Sequence, residues 1–561
     1  MVEGNLRGGL RVRKHVLCAF ISTSILLSLL IHAYAFTTGM PASLVIGQTD
    51  FVSSGFSTTQ TGLYNPVRLG FDFLGNLWVA DAQNSRVLMF KPPFANGMAA
   101  SFVIGQTDFT HSSAVTSQTG LDHPYGITFD PSGNLWVADT LNNRVLMFKP
   151  PFSNGMAANT VIGQSDFTHN GQATTQTGFD NPSALTFDSA GNLWVSDQEN
   201  NRVLMFKPPF ANGMAASLVI GHKSFSWGGG ALNQTGFNWP YDLGFDSAGN
   251  LCVADEVNNR ILMFKPPFAT GMAATLVIGH PDFVTSVPGT ASDRLHHPRG
   301  LGFDASGNMW VADCANARVL KFGPALATGM AANVVIGQAD FTGNAAATTQ
   351  TGLSLPIGVG FDGVGDLWIS DVHDNRVLMY QASSGLTGFL LQFQAGWNLV
   401  SLPIAPAQTS IDKLLNPLIQ LHELKIVWCY SPTPSPAWSF FTPPSSGALK
   451  TMVDGKGYWV YVNDAVNMTV VGYVIPPAST PPSYSLAAGW NLAGFKPEPT
   501  IQNETIGQYL MSISGSYDQN NVWIYDNAGG AWIRATSSTW VVPGQAMWIL
   551  VTSPSGATLR P

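Results

Sequence analysis

Residues 42–51 read ASLVIGQTDF, and close copies return as SFVIGQTDF (101–109), NTVIGQSDF (159–167), SLVIGHKSF (217–225), TLVIGHPDF (275–283) and NVVIGQADF (333–341). The phrase precedes the first copy of a second segment, NLWVADAQNSRVLMF, yet no copy follows the last one, DLWISDVHDNRVLMY. The second segment begins at 76, 134, 192, 250, 308 and 366, a constant step of 58 residues without one insertion. Repetition at this length marks stacked or radial supersecondary units.

Each unit reads as four short strands. YGITFD (125–130) typifies the first, and PSGN turns the chain, with Gly133 supplying the φ > 0 that a tight hairpin needs. LWVAD is the second strand and RVLMFK the third, after which Pro-Pro blocks further pairing. The VIG phrase is the fourth. The last unit stops at its third strand, while the first VIG phrase has no blade of its own. If Leu44–Gly47 completes the last blade, no edge is left open, and open edges invite aggregation. The fold predicted for residues 41–381 is therefore an all-β, six-bladed β-propeller of four-stranded antiparallel blades, closed by an N-terminal strand.

The repeated GNLWVADxxNNRVLMF resembles the NHL repeat, a family of propeller blades. That resemblance implies the fold and leaves the activity open, because the family includes lyases, RNA binders, protein-interaction platforms and extracellular sensor domains.

Residues 1–35 read as a signal peptide: Arg7, Arg11, Arg13 and Lys14 precede the apolar VLCAFISTSILLSLLI, and Ala33-Tyr34-Ala35 offers a cleavage site. The net charge is −8, and removing this segment leaves a more acidic chain. That balance argues against nucleic acid as a partner. No further apolar span follows, so no membrane span is expected after signal cleavage and the product is secreted or cell-surface. Cys252, Cys314 and Cys429 make an odd set without CxxC spacing, giving neither a disulfide framework nor a zinc site; Cys252 stands where other copies have Trp and reads as core filling.

After a linker at 382–390 the period stops, and two related β modules are expected at 391–475 and 482–561. FQAGWNLVSLP (393–403) matches LAAGWNLAGFKP (486–497), VWCY (427–430) matches VWIYD (522–526), AWSFF (437–441) matches AWIRA (531–535), and GKGYWVYV (455–462) matches GQAMWILV (544–551). The pattern predicts two small, sandwich-like β modules, each with a short helix, from IDKLLNPLIQLHELK and ETIGQYLMSI. Apolar alternation assigns their tryptophans to the cores by default; the other reading is an aromatic platform for glycans.

Strand parity puts the second-to-third loops and the roughly 20-residue connections between blades on one end of the ring, which is the expected binding face. The pairs Asp81–Arg86, Asp139–Arg144, Asp197–Arg202, Asp255–Arg260, Asp313–Arg318 and Asp371–Arg376 occur in every copy, so they read as structural braces; one site does not need six copies. Functional asymmetry must lie where copies differ. Around the Pro that opens each first strand these positions are Arg68, His123, Tyr125, Tyr241, Asp242, His297 and Arg299. In a six-bladed ring His123 faces His297 and Arg68 faces Asp242. The resembling lyases cleave hydroxyglycine peptides with a channel metal. Carried onto this sequence, that implies His123 and His297 as ligands of a divalent metal, His296 or Asp242 as a third, and Arg68 or Arg299 for a substrate carboxylate. The sequence departs from three aligned histidines and has no HExxH, GxSxG, P-loop or EF-hand context. No cofactor is predicted. The expected function is non-catalytic recognition or scaffolding for an extracellular protein, peptide or glycan partner, with a metal-dependent lyase or hydrolase and glycan binding by the C-terminal modules as alternatives.

Overall fold

The computed structural model describes residues 36–382, 386–432, 437–473, 484–495 and 504–559; the expected signal segment and the proline-rich joint at 476–483 lie outside them. Within 36–382 the chain forms six four-stranded antiparallel sheets. In one of them Pro66–Phe71, Leu77–Asp81, Arg86–Phe90 and Phe102–Ile104 pair in chain order. Four others repeat that connectivity. In the sixth, Leu44–Ile46 is the outermost strand and pairs with Arg376–Tyr380 in the register Leu44↔Met379, Ile46↔Val377. The first strands abut one another in succession, and Pro356–Phe361 returns to Pro66–Phe71. The sheets are β-propeller blades around a closed ring.

The repeated residues explain the local geometry. Asp130 Oδ1 accepts the amides of Ser132 and Asn134 at 2.9 and 3.0 Å, and its Oδ2 accepts the Trp136 indole N–H at 2.9 Å. Gly133, at φ 79°, closes the turn between them. Trp136 is buried and meets Phe187 and Phe210 of the next blade edge-on, at 5.7 and 4.8 Å. One motif therefore sets a turn and joins two blades. Cys252, buried at the tryptophan position of the fourth blade, fills the core there.

Each Asp–Arg pair is formed and fully buried. Arg86 Nε donates to Asp81 Oδ2 at 2.7 Å, while its terminal nitrogens reach the carbonyls of Thr59, Gly62 and Phe109. The guanidinium thus ties the connection entering its blade to the one leaving it. Asp108 and its counterparts in the GQxD phrase work locally: Asp108 Oδ1 accepts the Thr110 amide at 2.8 Å.

The sixth blade breaks one rule. In the first five, an Asn donates to the turn aspartate, as Asn76 does to Asp72 at 2.7 Å and Asn308 to Asp304 at 2.8 Å. Asp366 replaces that Asn, and burial together with the Asp362 carboxylate pushes its own carboxyl up to about 6. Its folded pKa lies above the ordinary 3.8, so it costs stability increasingly as pH rises from 3.8 to about 6, and fully above that. The offset corresponds to at most about 3 kcal/mol, and residual solvation reduces it to about 1–2 kcal/mol. Asp366→Asn is expected to stabilise the protein by that amount at pH 8, the gain shrinking towards pH 4. Thermal melts across this range check it, and a pH-independent gain would contradict the cause.

The C-terminal region differs from expectation at its start. Part of the expected linker belongs to the strand Leu386–Phe393, which pairs along its length with Val466–Tyr473; that sheet also takes up Ala405–Pro406. Facing it is a four-stranded sheet in the order Gly396–Ser401, Gly457–Val462, Leu424–Ser431, Ala437–Phe441. Between them lies a core including Leu391, Phe393, Val427, Phe441, Val460 and Met468, joined by Leu415 and Leu418 from around the short helices Ile411–Leu414 and Asn416–Gln420. The second half repeats the four-stranded sheet as Gly489–Gly494, Ala546–Val551, Tyr517–Asp526, Ala531–Arg534, over its own core. Among the described residues, no helix is long and apolar enough to cross a membrane.

Residues Gly388–Leu390, Thr469 and Val471 line a cleft of about 540 Å³ against Phe73–Gly75 and Asp362–Val364 of the ring. These are first-to-second turns. The first module therefore packs against the turn end of the propeller.

Candidate functional site

At the connection end, the residues expected around the channel mouth do converge, and they close it. Arg68 and Asp242, from opposite sides of the ring, form an ion pair across the axis. Asp242 is fully buried and also accepts the amides of Leu243 and Leu301, each at 2.7 Å. Val67, Tyr241, Cys314 and Ile357 make an apolar cluster there, with Tyr125 packed against it. Tyr125 and Tyr241 stack at 6.1 Å, the Arg299 guanidinium lies 5.2 Å from the Tyr241 ring centre, and Arg299 pairs with Glu256 at 2.9 Å. At the positions matching Arg68 and Asp242, one of the other four blades carries Ala184 and three carry glycine, Gly126, Gly300 and Gly358, where room is short: a Cβ on Gly300 would come within 1.7 Å of the Ile357 carbonyl oxygen. Glu256, in a second-to-third loop, was not singled out from the sequence, where it is one acidic residue among many.

His123 and His297 each contact a nearby carboxylate of a different residue. Both have left-handed backbone, φ 50° and 51°. His123 Nδ1 lies 2.7 Å from Asp122 Oδ1, and His297 Nδ1 lies 3.5 Å from Glu256 Oε1. Among the described residues, no group of three or more His, Cys, Asp or Glu side chains is placed to hold a metal ion.

The exposed apolar side chains of the ring, including Val52, Phe56, Val115, Trp227, Val284 and Val287, lie on the long connections or the second-to-third loops. Phe56 stacks on Tyr64 at 4.3 Å, and Trp227 stands edge-on to His222 at 4.7 Å.

The larger aromatic surface is in the modules, where the expected burial of tryptophan is overturned. Trp397, Trp438, Trp490 and Trp532 are 39–46% exposed. The reason is that both faces of these strands are apolar. In Leu424–Ser431, Val427 and Cys429 enter the core, so Trp428 and Tyr430 must point the other way. Cross-strand pairing extends that outer face: Trp459 lies between Leu399 and Trp428, and Tyr430 opposes Trp438. Two modules with such faces cover them against each other, Trp459 meeting Tyr525 at 4.7 Å and Trp548 meeting Tyr430 at 5.0 Å. Leu399, Leu492 and Ala546 are buried beneath.

What remains open is a pair of clefts. One, about 600 Å³, is lined by Trp397, Trp428, Trp438, Trp459, Tyr525 and Trp532; the other, about 480 Å³, by Tyr430, Trp490, Trp523, Trp532 and Trp548. Among the described residues, no Lys, Arg, Asp or Glu lines either. In each, one indole stands perpendicular to another, Trp397 to Trp459 at 90° and Trp490 to Trp548 at 86°, which leaves a flat face uncovered. The blade tryptophans donate their N–H to aspartate, whereas these indoles and the hydroxyls of Tyr430 and Tyr525 make no hydrogen bond to a described residue. The sequence held one usable signal for this: the duplication repeats aromatic residues at matched positions, Trp428 and Trp523, Tyr430 and Tyr525, Trp459 and Trp548, all on the face opposite the core.

No family model matches the chain. A stretch of 149 residues is 29% identical to peptidyl-glycine alpha-amidating monooxygenase of Mus musculus, which covers 25% of this chain and only 14% of that protein. Among solved structures, a catalytically inactive virginiamycin B lyase from Staphylococcus aureus with quinupristin is 14% identical, over 56% of this chain and 80% of that one, at a TM-score of 0.33. An auxiliary nutrient binding protein from Bacteroides thetaiotaomicron is 13% identical, over 60% and 75%, at a TM-score of 0.38. Likenesses of this size assign no activity, and the chain is described by its own geometry: a β-propeller with a closed mouth, joined to two modules that share aromatic clefts.

Proposed function

We propose that this chain is an exported, non-catalytic recognition protein, a six-bladed NHL-type propeller whose C-terminal modules bind a neutral glycan. The observation that carries this reading is the pair of uncharged clefts with open indole faces and unpaired N–H and O–H groups. The electron-rich face of an indole attracts the C–H face of a sugar ring, and edge donors serve its hydroxyls. A flat face suits a pyranose better than the three-sided ridge of a polyproline helix, the other common occupant of aromatic grooves. The ion-paired plug at the channel mouth supports a role in recognition over one in catalysis.

A second reading has its own support. The apolar side chains on the connection end suit a protein partner, for which the ring is a rigid platform. One experiment addresses both. The full chain is screened for retention on neutral polysaccharides (cellulose, chitin, starch, xylan), on anionic ones, and on candidate protein partners. Retention by a neutral polysaccharide is expected, insensitive to salt because no charge is involved. Trp397→Ala is expected to weaken it roughly tenfold, from about 1–2 kcal/mol of lost stacking. Salt-sensitive retention on anionic polymers alone would sink the glycan reading. A protein partner whose retention survives Trp397→Ala and fails with Trp227→Ser would support the second.

A further inference from the structure

The duplication reproduces the register of the aromatic face and not only its composition. In the first module Leu399 opposes Trp459, Trp459 opposes Trp428, and Tyr430 opposes Trp438. In the second, Leu492 opposes Trp548, Trp548 opposes Trp523, and Tyr525 opposes Trp532. The contacts between the modules are reciprocal as well. Trp459 lies 4.7 Å from Tyr525 and 5.6 Å from Trp532; its duplicate Trp548 lies 5.0 Å from Tyr430 and 5.9 Å from Trp438. When residue i touches j and the duplicate of i touches the duplicate of j, the interface has the form of an isologous dimer, here within one chain.

Pseudo-twofold pairing dictates two equivalent clefts. Every aromatic residue of the smaller cleft is the duplicate of one in the larger: Trp490 of Trp397, Trp523 of Trp428, Trp548 of Trp459, Tyr430 of Tyr525, and Trp532 of Trp438. Each cleft takes residues from both modules, so neither module contains a whole one. Trp532 lines both, which makes the clefts neighbours.

We propose that the two clefts act as halves of one site for a single linear, neutral glycan chain, a proposal that rests on the glycan reading above. Once one cleft holds a sugar unit, the next reach of the same chain is presented to the other at high effective concentration, so affinity rises steeply with length. A pseudo-twofold axis reverses the polarity that a directional polymer meets in the second cleft. Stacking on a flat indole face tolerates that reversal, and a fixed set of directional hydrogen bonds would not. The absence of charge from both linings restricts the chain to uncharged units.

The test is calorimetric titration of the full chain with neutral oligosaccharides (cello-, chito-, xylo- and malto-series) from disaccharide to octasaccharide. Within the series that binds, short members are expected to fill two sites per chain with weak affinity. Long members are expected to bind one per protein chain and about 100-fold more tightly. Trp490→Ala, at an exposed rim outside both cores, is expected to reduce the short-member stoichiometry from two to one and to abolish the length-dependent gain. Trp397→Ala should do the same from the other side. Two long chains bound per protein without a gain in affinity would overturn the single-chain proposal while leaving glycan binding intact. Binding of a polyproline peptide in place of every oligosaccharide, or no binding at all, would overturn both.

Discussion

Arg202→Met is expected to lower the unfolding free energy by about 3–5 kcal/mol, the usual cost of breaking a buried ion pair from one side. Arg202 is fully buried, its Nε 2.6 Å from Asp197 Oδ2, and its terminal nitrogens serve the carbonyls of Thr175, Gly178 and Phe225. Asp197 keeps the Asp180 amide and the Asn200 side chain as donors after the substitution. Burial already raises its carboxyl to about 6, and loss of the guanidinium raises it further. Between pH 4 and 6 the folded carboxyl is protonated in both proteins and they lose stability in parallel, so the extra damage in the variant grows only as pH rises past about 6, where the wild-type carboxylate ionises beside its arginine. Apolar replacement of both partners often rescues a buried pair, but it should not do so here. Three loop carbonyls would remain without a donor. Urea denaturation at pH 5 and pH 8 checks the size and the sign, and a loss below about 1 kcal/mol at pH 8 would show that the arginine is not the tie between connections.

Val45→Asp is expected to cost at least about 4 kcal/mol and to open the ring. Val45 is fully buried in the strand that closes the propeller, opposite Leu378, and packs into the core between the last two blades. An unpaired carboxylate cannot stay there, and this strand has an easy exit because it enters from the end of the ring sequence. Its departure bares the edge of Arg376–Tyr380, a template for pairing with another chain. Val161→Asp is the control. It occupies the equivalent strand of an internal blade, opposite Leu146, tethered on both sides by ring sequence. Both variants should be destabilised, but only Val45→Asp should be clipped before residue 47 by limited proteolysis and self-associate in light scattering. An intact, monomeric Val45→Asp protein would refute the clasp.

The two variants probe features of different origin. The Arg202 brace is legible in the sequence because an Asp five residues before an Arg recurs at a fixed step, and only a structural role explains six copies. The meeting of Arg68 with Asp242 was legible for a related reason: once six blades are counted, the first and fourth face each other. What the two side chains do there was not. Position across a ring does not say how far a side chain reaches, and the ion pair with the tyrosine stack fills the mouth that a metal site would have needed open. The expected histidines, His123 and His297, each lie beside a carboxylate of their own surroundings, Asp122 and Glu256, which spacing in the sequence does not reveal.

The module tryptophans mark the boundary between the two kinds of knowledge. Alternation in VWCY shows that Trp428 and Cys429 point to opposite faces, but both faces are apolar, so periodicity cannot choose the core. The start of the region was hidden similarly: LTGFL (386–390) reads as linker until Val466–Tyr473, some 80 residues on, offers it a partner. By itself the sequence determined the all-β architecture, the repeated four-stranded antiparallel sheets and the turns within them, because a local pattern repeated at a fixed step leaves one way to bury the same face each time. Only the tertiary structure decided that the channel mouth is closed and that the aromatic faces meet to form clefts. Both depend on residues far apart in the chain approaching one another, and no local spacing encodes that distance.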